Sequence, residues 1–445
     1  HKTNTRGNMS NSKDSKEFES PNVKITKAEI FANNDKSRSV NLQAADVLQY
    51  REHMFTDSVE VSFIFSDTGN NLDGKSISEA LPLQTTEDFI LEIQDAKKRK
   101  LKMNLNVNKV TPLLKDQQKE NVMLTLSSEE FIRNEQDSSK VRERFDGKIS
   151  DHIKKIVENN LKSKLFKLEE TANNLNFIGN KRRPFYTIRW LQKKSIPSKD
   201  GKMGDSAGFC FYQTSNGYHF ESIDSLFAKK PIRKYAFTGI PKDEGQKYDG
   251  IVAKYKSNLN ITANSKLRSG AYNTKLIVFD PFNCFYQVID QSAEETKKGI
   301  TTAGKGLPVL NQKFSETTTR TTYVFKDTGT LPAGDVKQQV EKNEEETFEV
   351  EKILNQSIRR FNQLDCSAME IVIPTDFELH IGDTVTVDTN SLADGSSGKV
   401  DKTTGGKYLI FALTHFISEN KGSTKLGLVR DSIGRKVEES GFLTK

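Results

Sequence analysis

The stretch GFCFYQTSNGYHFESIDSL, residues 208–226, carries the strongest structural signal in the chain. Two arms of β-forming residues flank TSNG at 214–217, where Asn-Gly tolerates the positive φ angles of a tight turn. The aromatic residues of the arms are Phe209, Phe211, Tyr212, Tyr218 and Phe220, with the weakly aromatic His219. Apolar residues alternate along each arm, so one face is apolar. The stretch predicts a β-hairpin in the core of an antiparallel domain, with aromatic residues that pack and bind no ligand.

Size and composition indicate several polar domains. The 445 residues are enough for two to four domains of about 150 residues each. Mean hydropathy is −0.64, which places much of the chain in exposed loops or subunit interfaces. No run approaches the roughly 18 apolar residues of a membrane span, so none is expected. Lys and Arg number 67 against 60 Asp and Glu, too small an excess for a dedicated nucleic-acid binder.

Residues 21–128 have the period of two that is typical of strands. The strand-like runs are SVEVSFIFSD at 58–67, DFILEIQ at 88–94, LKMNLNV at 101–107 and NVMLTLS at 121–127. Polar loops separate them, which favours an antiparallel β domain of the kind that includes small barrels. The basic run at 97–100 lies between two strands, and a solvated turn is favoured there over a phosphate site. Residues 1–20 are expected to be a disordered lead-in.

Residues 129–204 change to a helical period. A Ser-Ser-Glu-Glu sequence at 127–130 suits a helix start. Apolar residues then recur every four positions, at Val141, Phe145, Ile149, Ile153, Val157 and Leu161. This spacing predicts one apolar helical stripe, although Gly147 weakens a helix by about 1 kcal/mol relative to Ala and is a candidate break. The segment is therefore expected to be a helical or α/β insert.

A basic and aromatic segment ends this insert. Pro184 suits the first turn of a helix, with Phe185, Ile188, Trp190 and Leu191 available to bury. The neighbouring cations are Lys181, Arg182 and Arg183. Such a mixture also occurs on nucleic-acid-binding surfaces. A solvated loop before a helix with buried aromatic residues is the favoured interpretation.

The remainder of the chain mixes strands, loops and one helix. TKLIVFD at 274–280 and FYQVID at 285–290 predict a strand pair, whereas the apolar-poor residues 291–346 predict long loops, mobile or ordered by a partner. FEVEKILNQSIRRFNQL at 348–364 predicts an amphipathic helix. Its apolar face would carry Val350, Ile353, Leu354, Ile358, Phe361 and Leu364. Strands are expected again at 369–373, 385–387, 407–418 and 424–431, with a turn at Gly382-Asp383.

Residue patterns that indicate catalysis or metal binding are lacking in the sequence. The histidines are His1, His53, His152, His219, His380 and His415, and no two have metal-ligand spacing. Cys210, Cys284 and Cys366 are single and far apart, which fits a reducing compartment and small buried side chains. There is no nucleophile elbow and no P-loop. We therefore predict no catalytic, cofactor-binding or metal-binding residue and no cofactor.

Two segments together resemble the central baseplate hub protein of contractile-tailed (myovirus) bacteriophages and the tube-like part of type VI secretion spike proteins. One, at 176–226, contains NFIGNKRRPFYTIRWL and AGFCFYQTSNGYHFESIDSL. The other contains NQSIRRFNQL, MEIVIPTDFELHIGDTVTV, GGKYLIFALTHFIS and STKLGLVRDS. The joint order of these motifs is more specific than any one of them. They cover roughly a third of the chain; the first β region agrees in character, and residues 291–346 match nothing in that family.

The resemblance implies an α+β fold, mainly antiparallel β, with two similar β-barrel-like tube domains and inserted α/β elements. The first tube domain would span 21–128 and the insert 129–204. The second would be split between 205–230 and 366–432, around an inserted region at 231–365 and before a polar tail at 433–445. The chain would be a virion structural protein of the tail baseplate, assembled in the host cytoplasm, and not an enzyme.

The resemblance also implies partners. A homotrimer would form a pseudo-sixfold ring that joins the tail tube to the central spike and encloses a channel. DNA would pass through this channel at genome ejection without specific binding. Contacts would include the spike protein, the tail tube initiator proteins and the tape measure protein, with baseplate wedge proteins as further candidates. The alternatives are a phage-associated carbohydrate or cell-wall hydrolase that uses an Asp/Glu pair on a β scaffold, and a nucleic-acid-binding module with salt-dependent affinity.

Overall fold

The computed structural model describes most of the chain. The described residues are 20–42, 45–69, 74–81, 83–115, 119–198, 207–237, 248–252, 255–258, 263–281, 284–291, 300–306, 311–315, 318–326, 330, 334–338, 350–364, 366–390 and 400–435. The expected lead-in, apart from Ser20, and most of the expected tail lie outside these ranges. Strands account for 47% and helices for 19%. The mainly β class predicted from the sequence is therefore confirmed.

Strands and short helices alternate along the described chain. The strands are β1 (Ser20–Pro21), β2 (Lys24–Phe31), β3 (Ser39–Asn41), β4 (Ala45–His53), β5 (Glu60–Asp67), β6 (Asp88–Gln94), β7 (Lys100–Lys115), β8 (Glu120–Ser127), β9 (Arg144–Phe145), β10 (Leu165–Leu168), β11 (Phe177–Ile178), β12 (Phe209–Thr214), β13 (Gly217–Ser222), β14 (Arg233–Phe237), β15 (Gly250–Val252), β16 (Tyr255–Asn258), β17 (Thr274–Asp280), β18 (Phe285–Gln291), β19 (Arg320–Phe325), β20 (Ser367–Pro374), β21 (Thr384–Asp388), β22 (Gly406–Ser418) and β23 (Lys421–Arg430). The α-helices are α1 (Ile77–Ala80), α2 (Glu129–Arg133), α3 (Ile149–Lys155), α4 (Pro184–Gln192), α5 (Ile223–Ala228), α6 (Ala263–Ser269), α7 (Gln312–Ser315) and α8 (Val350–Gln363). A 3-10 turn covers Asp137–Ser139, and a π-helical turn, Ile156–Asn160, continues α3.

Fifteen of these strands form one large sheet. The first β region supplies the antiparallel order β4-β5-β8-β7-β6-β2-β3, and the second supplies β14–β16 and β20–β23. The fifteenth strand, β1, pairs with β23. The two regions meet where β22 pairs antiparallel with β4, from Ala412 opposite His53 to Ser418 opposite Val47. In the part of the chain that the structure describes, no sheet closes into a barrel. The two β regions are thus continuous through hydrogen bonds.

Both β regions bury their apolar side chains in one core. Val61 and Phe63 on β5 are fully buried, as are Leu409 on β22 and Leu426 on β23, and all belong to the same cluster. The alternation predicted for 58–67, 88–94, 101–107 and 121–127 is confirmed by β5, β6, β7 and β8. Because strand side chains point alternately to opposite faces, β5, β6, β8 and the first half of β7 bury every second residue.

The insert has a second core of its own. All six residues of the predicted helical stripe, from Val141 to Leu161, are buried in it. The helix, however, begins only at Ile149, after Gly147 with a φ of +106°, so the predicted break is confirmed. Before it, Val141 and Phe145 are extended. Pro184 opens α4 as predicted. Four-residue spacing therefore identified the buried side chains correctly but extended the helix too far towards its N-terminus.

The hairpin at 208–226 is present, but its neighbours differ from the prediction. β12 and β13 pair with Phe211 opposite Phe220, and β10 of the insert adds to β13 in parallel. These three strands form a separate sheet. The expectation that the hairpin joins the strands at 366–432 is therefore wrong for the sheet pairing. The hairpin also has two apolar faces instead of one: Phe211 and Phe220 lie in the insert core, and Tyr212 lies in the main core. The hairpin therefore connects the two cores.

Helix α8 confirms the predicted helix at 348–364 but not its buried face. Ile353 and Leu364 are buried, whereas Leu354, Ile358 and Phe361 are only half-buried. The polar residues of the helix are instead buried, namely Asn355, Gln356, Ser357, Arg359, Arg360 and Gln363. Ion pairs with two distant segments hold Arg360 in this buried position.

Beyond β14–β16, which belong to the large sheet, the region 231–365 contains a small sheet and the helices α6, α7 and α8. β17 pairs antiparallel with β18, which confirms the predicted strand pair, and parallel with β19. The C-terminal half of α8 holds this unit, because the side chains of Asn362 and Gln363 donate to the carbonyls of Ser269 and Ala271 at 2.7 and 2.8 Å. Of the 56 residues at 291–346 that were predicted to be loops, 28 lie outside the described ranges. The remainder includes β19 and α7, which sequence patterns did not predict.

Candidate functional site

The cysteines and histidines are dispersed. Among the described residues no group of three or more His, Cys, Asp or Glu side chains is placed to hold a metal ion. Cys210 and Cys366 are buried as predicted, but Cys284 is exposed, because it lies just beyond the chain reversal between β17 and β18. His415 contacts the Thr424 hydroxyl at 2.8 Å, and burial lowers its pKa to about 3. It is therefore a neutral packing residue.

Glu52 joins three parts of the fold, and we call its contacts the Glu52 junction. Glu52 lies on β4 and is fully buried. It accepts hydrogen bonds from the Tyr50 hydroxyl at 2.6 Å and from the backbone N–H groups of Ser215, in the hairpin turn, and Ile381, before β21, at 3.2 and 3.0 Å. His380 Nδ1 lies 3.0 Å from its carboxylate. The junction therefore fixes the hairpin turn against both β regions.

The Glu52 junction is an ion pair held in a dry environment. Burial disfavours the charged Glu52 carboxylate, but His380 and the hydrogen bonds outweigh burial and keep its pKa below the ordinary value. Burial likewise disfavours the His380 cation, and the Glu52 carboxylate more than compensates, so the pKa of His380 is raised. Removing one partner of such a pair leaves an uncompensated buried charge, which typically costs about 3–5 kcal/mol.

Glu221 is a second buried carboxylate, on the hairpin itself. It accepts from the Tyr212 hydroxyl at 2.7 Å and from Lys229 Nζ at 3.0 Å. Burial opposes its ionisation, but the hydrogen bond with His219 and the charge of Lys229 hold its pKa well below the usual range. Lys229 also donates to the Gly382 carbonyl at 2.9 Å. This cluster attaches the hairpin to the turn that precedes β21.

The basic run at 97–100 is only partly a solvated turn. Lys97, Lys98 and Lys100 are exposed as predicted, but Arg99 is not. Its guanidinium binds Asp95 at 2.6 Å and also Asp376, which in turn accepts from Arg233 Nε at 3.0 Å. The carboxylate of Asp376 therefore connects the first β region to the second, and the charge of Arg99 is already balanced by Asp95 and Asp376.

Arg360 of α8 also connects separate segments of the chain through carboxylates. It is fully buried and donates to Asp431 at 2.8 Å and Asp224 at 2.7 Å. Asp431 follows β23, and Asp224 lies in the helix that ends the hairpin stretch. These pairs explain why Arg360 points inward from α8. No local pattern in the sequence could have shown them, because the partners lie 136 and 71 residues away.

The pKa shifts and hydrogen bonds of these clusters favour a structural role over a catalytic one. A general acid at neutral pH needs a raised pKa, whereas neighbouring cations and N–H groups hold Glu52 and Glu221 ionised. Burial does raise the pKa of Asp57 and Asp383. Each is engaged, however: Asp57 binds Arg189 Nε at 2.7 Å, and Asp383 accepts from a backbone N–H at 3.0 Å. The described ion clusters therefore hold parts of the chain together.

One face of the small sheet exposes apolar side chains, and we call it the aromatic face. It is formed by Ile277 and Phe279 on β17, Tyr286 and Val288 on β18, and Tyr323 and Phe325 on β19, which lie side by side in register. Tyr323 is 76% and Phe325 70% exposed. Phe279 and Phe325 contact each other edge to face, with centroids 5.9 Å apart. Contiguous exposed apolar patches typically mark sites of protein contact.

The basic and aromatic segment at 181–190 is divided by the fold. Phe185 is buried in the insert core, whereas Lys181, Arg182 and Arg183 are exposed. Arg183 is paired with Glu135 at 2.6 Å. The favoured interpretation, an exposed loop before a helix with a buried aromatic residue, is therefore correct for these residues. Arg182 and Trp190 nevertheless line a pocket, which the sequence did not predict.

The fold is shared with tail proteins of known structure. No protein-family model and no curated protein matches the sequence. The tail protein from Neisseria meningitidis MC58 aligns with 91% of this chain and 96% of its own, at 8% identity and a TM-score of 0.52. The 43 kDa tail protein of prophage MuSo2 from Shewanella oneidensis aligns with 92% of this chain and 99% of its own, at 11% identity and a TM-score of 0.53. The chain has the fold of these tail proteins.

The predicted resemblance to phage tail proteins is thus confirmed at the level of the tail-protein fold. A component of the type VI secretion system of E. coli aligns with 93% of this chain and 79% of its own, at 9% identity and a TM-score of 0.41. Within the described ranges, no helix is long and apolar enough to cross a membrane.

Proposed function

We propose that this chain is a structural hub of a contractile phage tail baseplate. The observation that supports it most is the shared tail-protein fold, which extends over nearly the whole length of this chain and of both compared chains. In this proposal three copies form a pseudo-sixfold ring that joins the tail tube to the central spike. The protein acts mechanically, by matching symmetries and enclosing a channel through which DNA passes.

The proposal assigns each β region a tube domain. The first corresponds to 21–128, and the second to the strands at 366–432 together with β14, β15 and β16, while the hairpin within 205–230 belongs with the insert. Two similar domains per subunit, in three subunits, would give six tube domains around the ring. The Glu52 junction and the Asp376 cluster would hold the two domains of one subunit at a fixed angle, which a ring of constant diameter requires. The hairpin would then support both domains from the insert side.

Several observations support assembly with other proteins. The aromatic face is the kind of surface that isolated proteins rarely leave uncovered, and assembly would bury apolar area of this kind. The partners in the proposal are the spike protein, the tail tube initiator proteins, the tape measure protein and the wedge proteins. The excess of seven positive charges suits DNA passage without tight binding. The chain would be located in the virion tail and carry no catalytic residue and no cofactor.

Electron microscopy of the purified protein, alone and with its spike protein, tests the proposal. A threefold ring with six β domains around an open channel is the expected result. A monomer of about 50 kDa in the presence of spike protein would contradict it. Hydrolysis of cell-wall polysaccharide that is lost on replacing one acidic residue would instead support the hydrolase alternative.

A further inference from the structure

A pocket of about 470 Å³ lies beside the only tryptophan of the chain. Its volume is within the range of about 300–1,000 Å³ that is typical of ligand sites. It lies between the loop after β11 and the exposed side of α4. The residues that line it are Phe177, Ile178, Gly179, Asn180, Arg182, Tyr186, Thr187, Trp190 and Thr330.

The aromatic wall of the pocket is rigid. Phe177 meets Trp190 edge to face, with ring centroids 5.2 Å apart. On its other side Phe177 stacks on Phe145 of the insert core, at 4.7 Å and 6°. A wall supported in this way loses little conformational entropy when a ligand binds, which favours affinity.

Backbone contacts hold Arg182 at the rim. The Val141 N–H donates to the Arg182 carbonyl, and the Lys181 N–H donates to the Val141 carbonyl, both at 2.9 Å. Gly179 permits this close approach, because a Cβ at that position would lie 2.7 Å from the Val141 carbonyl. The Arg182 guanidinium lies 4.8 Å from the ring centroid of Tyr186, a stacked arrangement that leaves its N–H groups available at the edge.

Among the described residues, no carboxylate compensates the charge at the pocket. None of the described lining residues is acidic, and in the described part of the chain no carboxylate lies within ion-pair distance of Arg182. The neighbouring arginines differ: Arg183 binds Glu135 at 2.6 Å, and Arg189 binds Asp57 at 2.7 Å. A single available guanidinium therefore lies beside an apolar wall.

We propose that this pocket binds a short acidic peptide segment of a partner protein. An aromatic or aliphatic side chain would pack against Trp190, and an adjacent carboxylate would form charge-assisted hydrogen bonds with Arg182. Ile178 and Tyr186 are 56% and 53% exposed, so the apolar rim extends beyond the pocket, as an extended ligand requires. A nucleic-acid strand would need a continuous row of free cations, whereas here the neighbouring arginines Arg183 and Arg189 are paired with carboxylates. The inference goes beyond the proposed hub and does not depend on ring assembly.

Fluorescence of Trp190 in the full-length protein provides the test, because no other tryptophan contributes. The probe is an acetylated, amidated peptide, Gly-Glu-Phe-Glu-Gly, and we expect saturable quenching. The matched peptides Gly-Gln-Phe-Gln-Gly and Gly-Glu-Ala-Glu-Gly should bind at least about tenfold more weakly, since each lacks one of the two recognised groups. No change of fluorescence up to about 1 mM peptide, an affinity of only about −4 kcal/mol, would overturn the proposal.

Variants and other ligands test whether binding occurs at this pocket and requires a peptide. Arg182→Gln should weaken binding about tenfold, and Tyr186→Ala several-fold; both side chains are exposed, so folding should persist. Arg183→Gln is the matched control and should bind normally. Equal effects of the two arginine variants would overturn the proposal. Tighter, strongly salt-dependent binding of oligothymidylate would make the surface a nucleic-acid site, and equally tight binding of N-acetylphenylalanine would make it a small-molecule site; either result contradicts a peptide site.

Discussion

Replacing Phe220 by Ala should destabilise the protein by about 3–5 kcal/mol, because truncating a buried Phe loses transfer free energy and leaves a cavity. Phe220 is fully buried in the insert core. It stacks on Phe209 at 4.6 Å and 21°, and such a pair contributes about 0.5–1.5 kcal/mol beyond its buried area. The expected loss is therefore in the upper half of the range. The substitution should also weaken the packing of the hairpin, which connects the two cores, against the insert core.

Urea unfolding, followed by Trp190 fluorescence and by far-ultraviolet circular dichroism, measures this loss. Trp190 packs against the insert core and reports on it, while circular dichroism follows mainly the large sheet. Phe166→Ala is the matched control: Phe166 lies on the adjacent strand β10 and is 60% exposed, so its loss should stay within about 0.5 kcal/mol. A loss below about 1 kcal/mol for Phe220→Ala would refute the idea that the hairpin connects the cores.

Three further predictions concern the contacts of the turn before β21, the Glu52 junction and the aromatic face. Gly382→Ala should lower the free energy of unfolding by more than about 1 kcal/mol in a thermal or urea melt, because φ is +84° and a Cβ would overlap the Tyr212 hydroxyl. Gly69→Ala is the control, since Gly69 has a φ of +78° but open space at the Cβ position. Equal losses of stability in the two variants would contradict the overlap. The pKa of His380 is raised in the fold, so its protonation stabilises the protein fully at pH values below 6.5, its ordinary pKa, and this stabilisation is lost as pH rises through the raised pKa. Above pH 6.5 the melting temperature should therefore fall less steeply with pH in His380→Gln than in the unaltered protein. Parallel curves for the two proteins would contradict this. Tyr323→Thr should reduce self-association in sedimentation without lowering the melting temperature, since this side chain is 76% exposed; unchanged sedimentation would exclude a role for the aromatic face in contacts between copies.

Much of the strand content could be predicted because it depends on local alternation. A run such as SVEVSFIFSD places Val61, Phe63 and Phe65 on one side of a strand wherever that strand lies. The same applies to the tight turn at Gly217, whose φ is +128°. Pro184 likewise determined the start of α4 through its fixed φ and missing N–H.

The placement of the hairpin could not be predicted in the same way. Alternation shows that Phe211 and Tyr212 lie on opposite faces, but it does not show that each face meets a different core. β10, which extends the hairpin sheet, has the pattern of a half-exposed segment and pairs in parallel across about fifty residues of chain. Such pairing depends on tertiary packing and leaves no local periodicity.

The candidate site was harder to predict than the fold. Glu52 and His380 are 328 residues apart, and Arg360 is drawn inward by carboxylates of two distant segments. An amphipathic pattern assumes that polar residues prefer water, and α8 departs from it at Arg360, whose buried charge is compensated by Asp224 and Asp431. The pocket beside Trp190 depends likewise on a close approach of Gly179 to Val141, for which the glycine alone is a weak signal.

The pairing of β22 with β4 has a consequence for the order of folding during synthesis. The edge of β4 is completed by a strand that begins at Gly406, 353 residues (406 minus 53) after His53. At typical synthesis rates of about 5–20 residues per second, the nascent first β region waits about 20–70 s with one edge unpaired. Unpaired edges are templates for aggregation. We therefore expect chaperone depletion during expression to affect this chain before residue 406 is made, so that truncation products ending near that position should be the least soluble.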